Sequence, residues 1–211
     1  MKTNLKIFPK KKYKNFKSFY DDYISVLTSH FSKNYNKNLD KIVDLIEEKI
    51  MSKHTIFVCG NGGSAAIANH YVCDYLKLLS TKTKLKPKII SLNANNELIS
   101  AISNDISYKK IFTYQVNAYA QKNDLIIIIS CSGNSENVKD LLKYSKKYNI
   151  STIGFSGFDG GYLKKNSDLS VHANINNYGV TEDIFHIYMH LIMQFLRQKY
   201  LISNNIKKNK F

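Results

Sequence analysis

Residues 124–138 read Asp-Leu-Ile-Ile-Ile-Ile-Ser-Cys-Ser-Gly-Asn-Ser-Glu-Asn-Val, the most apolar run of the chain discharging directly into a cluster of hydroxyls. An uninterrupted aliphatic run of this length predicts a strand buried on both faces, the kind found inside parallel sheets covered by helices on each side. The small polar residues end the strand, and an amphipathic helix is predicted over residues 135–148. Strand, short polar loop and fresh helix together suit an anion, because the hydroxyls of Ser130, Ser132 and Ser135 and the N–H groups of the helix's first turn can surround it without a formal positive charge. Ordinary capping of the helix by Ser132, Asn134 or Ser135 accounts for the same residues.

The same beat recurs on both sides of this stretch. Residues 54–59 are β-prone and lead into Gly60-Asn61-Gly62-Gly63-Ser64 and an Ala-rich helical segment. Residues 88–92, 151–155 and 168–172 supply three more short strands, with helices predicted over 95–102 and 111–120. Strands alternating with helices imply an α/β domain with a parallel sheet, in which ligands bind beyond the C-terminal strand ends. Both polar loops lie there. The close glycines of GNGGS let a backbone approach a ligand, and the loop is neither GxGxxG nor a P-loop, so no nucleotide cofactor is indicated.

Ahead of the sheet, residues 1–12 read as a loose basic arm, and apolar positions from Phe16 to Phe31 recur at helical spacing, giving a helix with an aromatic stripe that should pack on something. A second helix is predicted over 39–51. The last helix, 181–198, is apolar nearly all round, which implies burial against the sheet and against a partner subunit. The domain organisation expected is therefore 1–37 as arm and packing helix, 38–200 as one globular domain, and 201–211 as a basic tail.

The chain has 211 residues and 44% hydrophobic residues, enough for one domain with a sizeable core. Its longest apolar run is far below a membrane span. Cys59, Cys73 and Cys131 form an odd set without metal-type spacing, which fits reduced thiols in a cytoplasm. The formal charge of +15 raises nucleic acid as a partner, but much of the excess sits in the two terminal segments, so it reads as a solvated basic surface that also attracts phosphorylated substrates.

Four motifs in register, GNGGSAAIANH, SNDISYKKIF (103–112), SCSGNSENV and GFSGFDGG (154–161), with His190 in the last helix, resemble the phosphoheptose isomerases of the sugar isomerase (SIS) domain superfamily. The resemblance runs from about residue 38 to 197. It implies a flavodoxin-like three-layer α/β/α fold with five parallel strands, a homotetramer with active sites at subunit contacts, and interconversion of sedoheptulose 7-phosphate and D-glycero-D-manno-heptose 7-phosphate for lipopolysaccharide, capsule or related glycans. Carried onto this chain, Asn61, Gly62, Gly63, Ser64, Asn104 and Asp105 would line the sugar, and Ser130, Cys131, Ser132 and Ser135 would hold the phosphate. Cys131 stands where relatives often have Thr, which removes a hydroxyl but keeps the backbone donor.

Isomerisation needs a base at the carbon beside the carbonyl and a group that manages the proton on oxygen. His70 and Asp74 stand four apart, on one helix face. The family has His and then usually Glu there, the Glu acting as base and zinc ligand; Asp74 is one methylene shorter. The family's last helix has Gln and, eight residues on, His, both taken as ligands; the matching positions here are Glu182 and His190. The resemblance therefore implies Asp74 as base, His190 as its acid/base partner, Glu182 near the substrate, and a zinc site of His70, Asp74, Glu182 and His190, although Glu182 and His190 would be about 12 Å apart along a straight helix. Other readings stay open. His70 and Asp74 can be a surface ion pair, Glu182 and Asp183 suit a helix N-terminus, and His186, to which the pattern gives no role, reads as a packed histidine. A non-catalytic phosphosugar-binding protein or an isomerase of another sugar phosphate fits the same loops.

Overall fold

The computed structural model describes residues 5–31 and 38–202. A two-residue strand, β1 (Lys6–Ile7), precedes the helices α1 (Phe16–Phe31) and α2 (Asn38–Met51), and strands then alternate with helices: β2 (Thr55–Gly60), α3 (Gly63–Cys73), β3 (Lys88–Ser91), α4 (Asn96–Ile102), α5 (Ile111–Tyr119), β4 (Leu125–Ser130), α6 (Glu136–Lys147), β5 (Ser151–Ser156), α7 (Gly161–Asn166), β6 (Leu169–His172), β7 (Ile175–Asn176) and α8 (Tyr178–Lys199). Strands β2 to β6 form one parallel sheet in the order β3-β2-β4-β5-β6. Numbered among themselves, they run 2-1-3-4-5, the flavodoxin-like order expected. The connection after β2 leaves toward one edge and the chain returns across β2 to enter β4. The loops following β2 and β4 therefore diverge and leave a crevice between them, and these are the GNGGS and SCSGNS loops.

Strand β4 is buried along its whole length, because its alternate residues fill two different cores. Leu125, Ile127 and Ile129 pack with residues of α2, α3 and α8, including Ile42, Ile46, Ile67, Ile184 and Phe185. Ile126 and Ile128 point to the opposite face and join Phe112, Val116, Val138 and Leu141 from α5 and α6. Each fully buried aliphatic side chain of this kind contributes about 1.5–3 kcal/mol. The start of the strand is pinned electrostatically: the buried Asp124 carboxylate accepts from the main-chain N–H of Thr55 and of Gln121, both at 2.8 Å. That contact joins β2 to β4 one residue before their ladder begins at Ile56 and Leu125.

The N-terminal arm is not loose over its described part. Lys6–Ile7 pairs in parallel with Ile175–Asn176, and Phe8 is 3% exposed, with ring centroids of Phe19 and Tyr23 at 5.2 and 5.5 Å. A large aromatic inside the basic run supplies enough apolar area to dock it. The outer arm, the expected boundary at 37/38 and the tail beyond 202 lie outside the described residues. Helix α8 is buried against the sheet as expected, yet Leu191 and Phe195 remain exposed, as do Phe16 and Tyr20 on α1.

Because Ile127 sits at the centre of one core, Ile127→Ala should lower stability by about 2–5 kcal/mol in urea denaturation. A loss below about 1 kcal/mol would contradict the central placement of β4.

Candidate active site

The two polar loops are tied to each other by a pair of side-chain amides. Asn61 Nδ2 donates to Asn137 Oδ1 and Asn137 Nδ2 donates to Asn61 Oδ1, both at 2.9 Å. Asn137 is 2% exposed, so each of these bonds is made away from competing water. The third motif joins the same point, because the Tyr108 hydroxyl donates to Asn61 Oδ1 at 3.0 Å. The second N–H of the Asn61 amide has no partner among the described residues and is free to meet a ligand. The end of β2 is held from its other side by Asn93, whose amide accepts from Gly60 N at 3.0 Å and donates to Gly60 O at 2.8 Å.

The serine loop is shaped by its own hydroxyls and braced by the fourth motif. Ser130 Oγ accepts from Gly133 N at 3.2 Å, and Ser132 Oγ accepts from Asn134 N at 3.3 Å, so each oxygen is used within the turn while its own proton is left to donate. Ser135 is the N-cap residue of α6 but makes no side-chain cap bond. Asn134 serves a different helix, accepting from Tyr162 N at 3.0 Å. None of the three residues expected as possible caps therefore closes α6; Val138 N donates to Asn137 Oδ1 at 3.0 Å, and the N–H groups of Glu136 and Asn137 can meet an anion, together with the hydroxyl of Ser135. The loop rests on the GFSGFDGG segment: Cys131 O accepts from Gly157 N and Gly133 O accepts from Leu163 N, both at 2.9 Å. Gly133 has φ +64°, and a Cβ on Gly161 would stand 2.5 Å from Ser132 O, so the close approach of the two loops requires both glycines.

Gly62 and Gly63 are exposed at the start of α3, Gly62 with φ +55°. Ser64 is buried beneath the two loops, where its side chain acts on the Cys131 thiol. Burial, reinforced by the nearby Glu182 carboxylate, pushes the Cys131 thiol up to about 12 and keeps it neutral. Asn104 and Asp105 are exposed on a π-helical turn, Ser103–Ser107, and hydrogen-bond to each other at 2.8 Å; their segment reaches the loops through Tyr108.

A second cluster lies further along α3. His70 is on that helix, and Asp74 opens a second π-helical turn, Asp74–Leu79, that continues it. Asp74 is 5% exposed; its Oδ1 lies 3.4 Å from His70 Nε2 and its Oδ2 lies 3.4 Å from His190 Nε2. One ligand atom from each of the three falls within 4.8 Å of the others, so the group can hold a metal ion. The donor chemistry fits zinc: two imidazole nitrogens and a carboxylate oxygen at about 2.0–2.2 Å from a tetrahedral ion would stand about 3.4 Å apart.

Glu182 is not part of that group. Helix α8 is continuous from Tyr178 to Lys199, so Glu182 and His190 are separated by about 12 Å along its axis. The carboxylate of Glu182 instead lies against Gly63 and within 3.9 Å of Cys131 Sγ, at the loop end of the site, where burial raises its pKa. Helices α3 and α8 thus run side by side in the same direction, Gly63 beside Glu182 and His70 beside His190. The site has a loop end that suits a phosphate and, about 10 Å along α3, an end with proton-transferring groups.

Asn137, Tyr108 and Asn93 were missed by the sequence reading. Asn137 carried a signal, a polar residue at a position where the helical pattern puts the buried face of α6. Tyr108 and Asn93 carried none, since only the fold brings them to the GNGGS loop.

A family model for the SIS domain matches residues 19–157. The chain is 35% identical over 159 residues to the probable phosphoheptose isomerase of Thermoplasma acidophilum, a match covering 75% of this chain and 87% of that one. It is 39% identical over 127 residues to the phosphoheptose isomerase of Clostridium acetobutylicum, covering 60% of this chain and 64% of its relative. The structure of a phosphoheptose isomerase from Francisella tularensis superposes with a TM-score of 0.77 at 21% identity, covering 86% of this chain and 96% of the other, and shows the same fold. The chain belongs to the SIS domain family, within its phosphoheptose isomerase branch, and is an isomerase.

If the amide pair holds the loops, Asn137→Ala should destabilise the protein by about 1–3 kcal/mol, because it leaves Asn61 without its buried partner. Calorimetry should also show weaker binding of inorganic phosphate. Unchanged stability and unchanged phosphate affinity would contradict this role.

Proposed function

We propose that the protein interconverts sedoheptulose 7-phosphate and D-glycero-D-manno-heptose 7-phosphate, supplying a heptose for surface glycans. The observation that supports this best is Asp74, a buried carboxylate with one oxygen facing each of two histidines. The loop end would take the phosphate through Ser130, Ser132, Ser135, the Cys131 main chain and the N-terminus of α6. A seven-carbon sugar carries its phosphate and its carbonyl at opposite ends, which suits a site whose two ends are about 10 Å apart. Asn61, Gly62, Gly63, Asn104 and Asp105 would line the chain of hydroxyls between them, with Glu182 beside the phosphate loop.

Starting from the ketose, Asp74 takes a proton from C1 as the C1–C2 double bond forms, and His190 gives a proton to the carbonyl oxygen on C2, leaving an enediol. Asp74 then returns its proton to C2 while His190 removes the proton from the oxygen on C1, so the carbonyl moves to C1 and no proton is gained or lost overall. His70, Asp74 and His190 would hold a zinc ion, and when bound it supplies Lewis-acid polarisation of the carbonyl. The exposed apolar residues Phe16 and Tyr20 on α1 and Leu191 and Phe195 on α8 support a homo-oligomer, a tetramer in this reading, with sites at subunit contacts. Three unpaired cysteines and the lack of any helix among the described residues long and apolar enough to cross a membrane agree with a cytoplasmic enzyme.

Incubation with sedoheptulose 7-phosphate in deuterated water, followed by NMR, should show the aldose and deuterium beside the carbonyl. Asp74→Asn and His190→Ala should each lower turnover at least ~100-fold. Near wild-type turnover in both variants would contradict the assigned roles, and no turnover by the wild-type enzyme would contradict the substrate.

A further inference from the structure

Three protein ligands leave one position of a four-coordinate zinc open, and the carboxylate expected to fill it, Glu182, is at the other end of the crevice. A third imidazole stands beside the group. His186 is four residues before His190, hence on the same face of α8. Its ring centroid is 5.6 Å from that of His70 and 6.1 Å from that of His190, and those two are 5.2 Å from each other. Imidazoles bound through nitrogen to one tetrahedral zinc at ~2.0–2.1 Å hold their centroids about 5 Å apart. The three rings are therefore gathered to within about 1 Å of the spacing that a shared ion imposes.

The surroundings of His186 suit the same role. His186 lies one helical turn beyond Glu182, so its ring is near that residue's main-chain carbonyl. A hydrogen bond to such a carbonyl would fix the tautomer of a metal-bound histidine and leave the other nitrogen with a lone pair to give. The ligating nitrogen lies outside the 4.8 Å group formed by His70, Asp74 and His190. Rotation about the side-chain bonds is needed to bring it in, and the ring is only half-buried.

We propose that His186 is the fourth protein ligand of the metal site, which is then built from two facing pairs at i and i+4: His70 and Asp74 along α3 and its π-helical continuation, His186 and His190 along α8. The inference rests on the metal-holding role given to this cluster above. It assigns Glu182 to the loop end of the crevice, and a neutral imidazole in place of a second carboxylate leaves the loaded site one positive charge higher. Substrate would enter as an added ligand, an expansion to five that zinc accepts.

Zinc K-edge X-ray absorption on the full-length wild-type protein counts imidazole ligands directly, and competition with a chromophoric chelator gives the affinity. Three imidazoles per zinc are expected in the wild type and two in His186→Ala. The zinc affinity of His186→Ala should fall at least ~100-fold, the upper end of what losing an outer-shell partner costs. His186→Gln, which keeps a polar side chain of similar length, serves as a second variant, and circular dichroism checks the fold of both. Two imidazoles in the wild type, or an unchanged affinity in either folded variant, would overturn the proposal. Failure of the wild type to bind zinc would overturn it as well, while leaving the isomerase reading to stand or fall on turnover of sedoheptulose 7-phosphate.

Discussion

Two asparagine amides, Asn61 and Asn137, face each other in a two-way hydrogen bond where the sheet's winding reverses, and the geometry of the site depends on them. Doubly wound sheets open a crevice at this point because the connections leave in opposite directions. An open crevice has no inherent width. The amide pair sets that width by tying the residue after β2 to the second residue of α6, and the Tyr108 hydroxyl draws the third motif to the same place. With the width fixed, the hydroxyls of the serine loop and the uncapped start of α6 face the GNGGS backbone at one separation, suited to one anion.

The second constraint is the parallel course of α3 and α8. Both helices begin near the loops, so residues at similar distances from their N-termini become neighbours: Gly63 with Glu182, then His70 with His186 and His190. A way to separate binding from chemistry follows from this arrangement. In the proposed mode the anion would be held by neutral donors at the helix starts, and His70, Asp74 and His190 stand about two helical turns away, where a bound phosphate's charge would disturb them less. The π-helical turn beginning at Asp74 lies where α3 reaches this cluster, consistent with the frequent occurrence of such turns at functional sites.

The alternation of strands and helices, the two loops and the pairing of His70 with Asp74 were legible in local pattern, an apolar run, close glycines and a spacing of four on one helix, whereas the strand order and His190 came from the family resemblance. Misreadings arose where a distant residue decides the outcome. The arm docks because Phe8 finds Phe19 and Tyr23, and nothing in a lysine-rich segment announces that. Glu182 leaves the metal group because α8 stays straight, a property of its packing against the sheet. Two of the residues offered as helix caps are engaged elsewhere, because Asn134 turns to α7 and the Ser132 hydroxyl shapes the turn. His186 had no pattern to mark it and gains meaning only from the rings beside it.

The central claim is that one crevice holds phosphate at the serine loop and presents the far end of the sugar to Asp74 and the histidines. A crystal structure of the Asp74→Asn protein with sedoheptulose 7-phosphate tests it most directly. The account predicts the phosphate within hydrogen-bond distance of Ser130, Ser132 or Ser135 and the α6 N-terminus, with C1 and C2 beside residue 74 and His190. Phosphate bound away from the serine loop, or a sugar whose carbonyl end turns from His190, would contradict it.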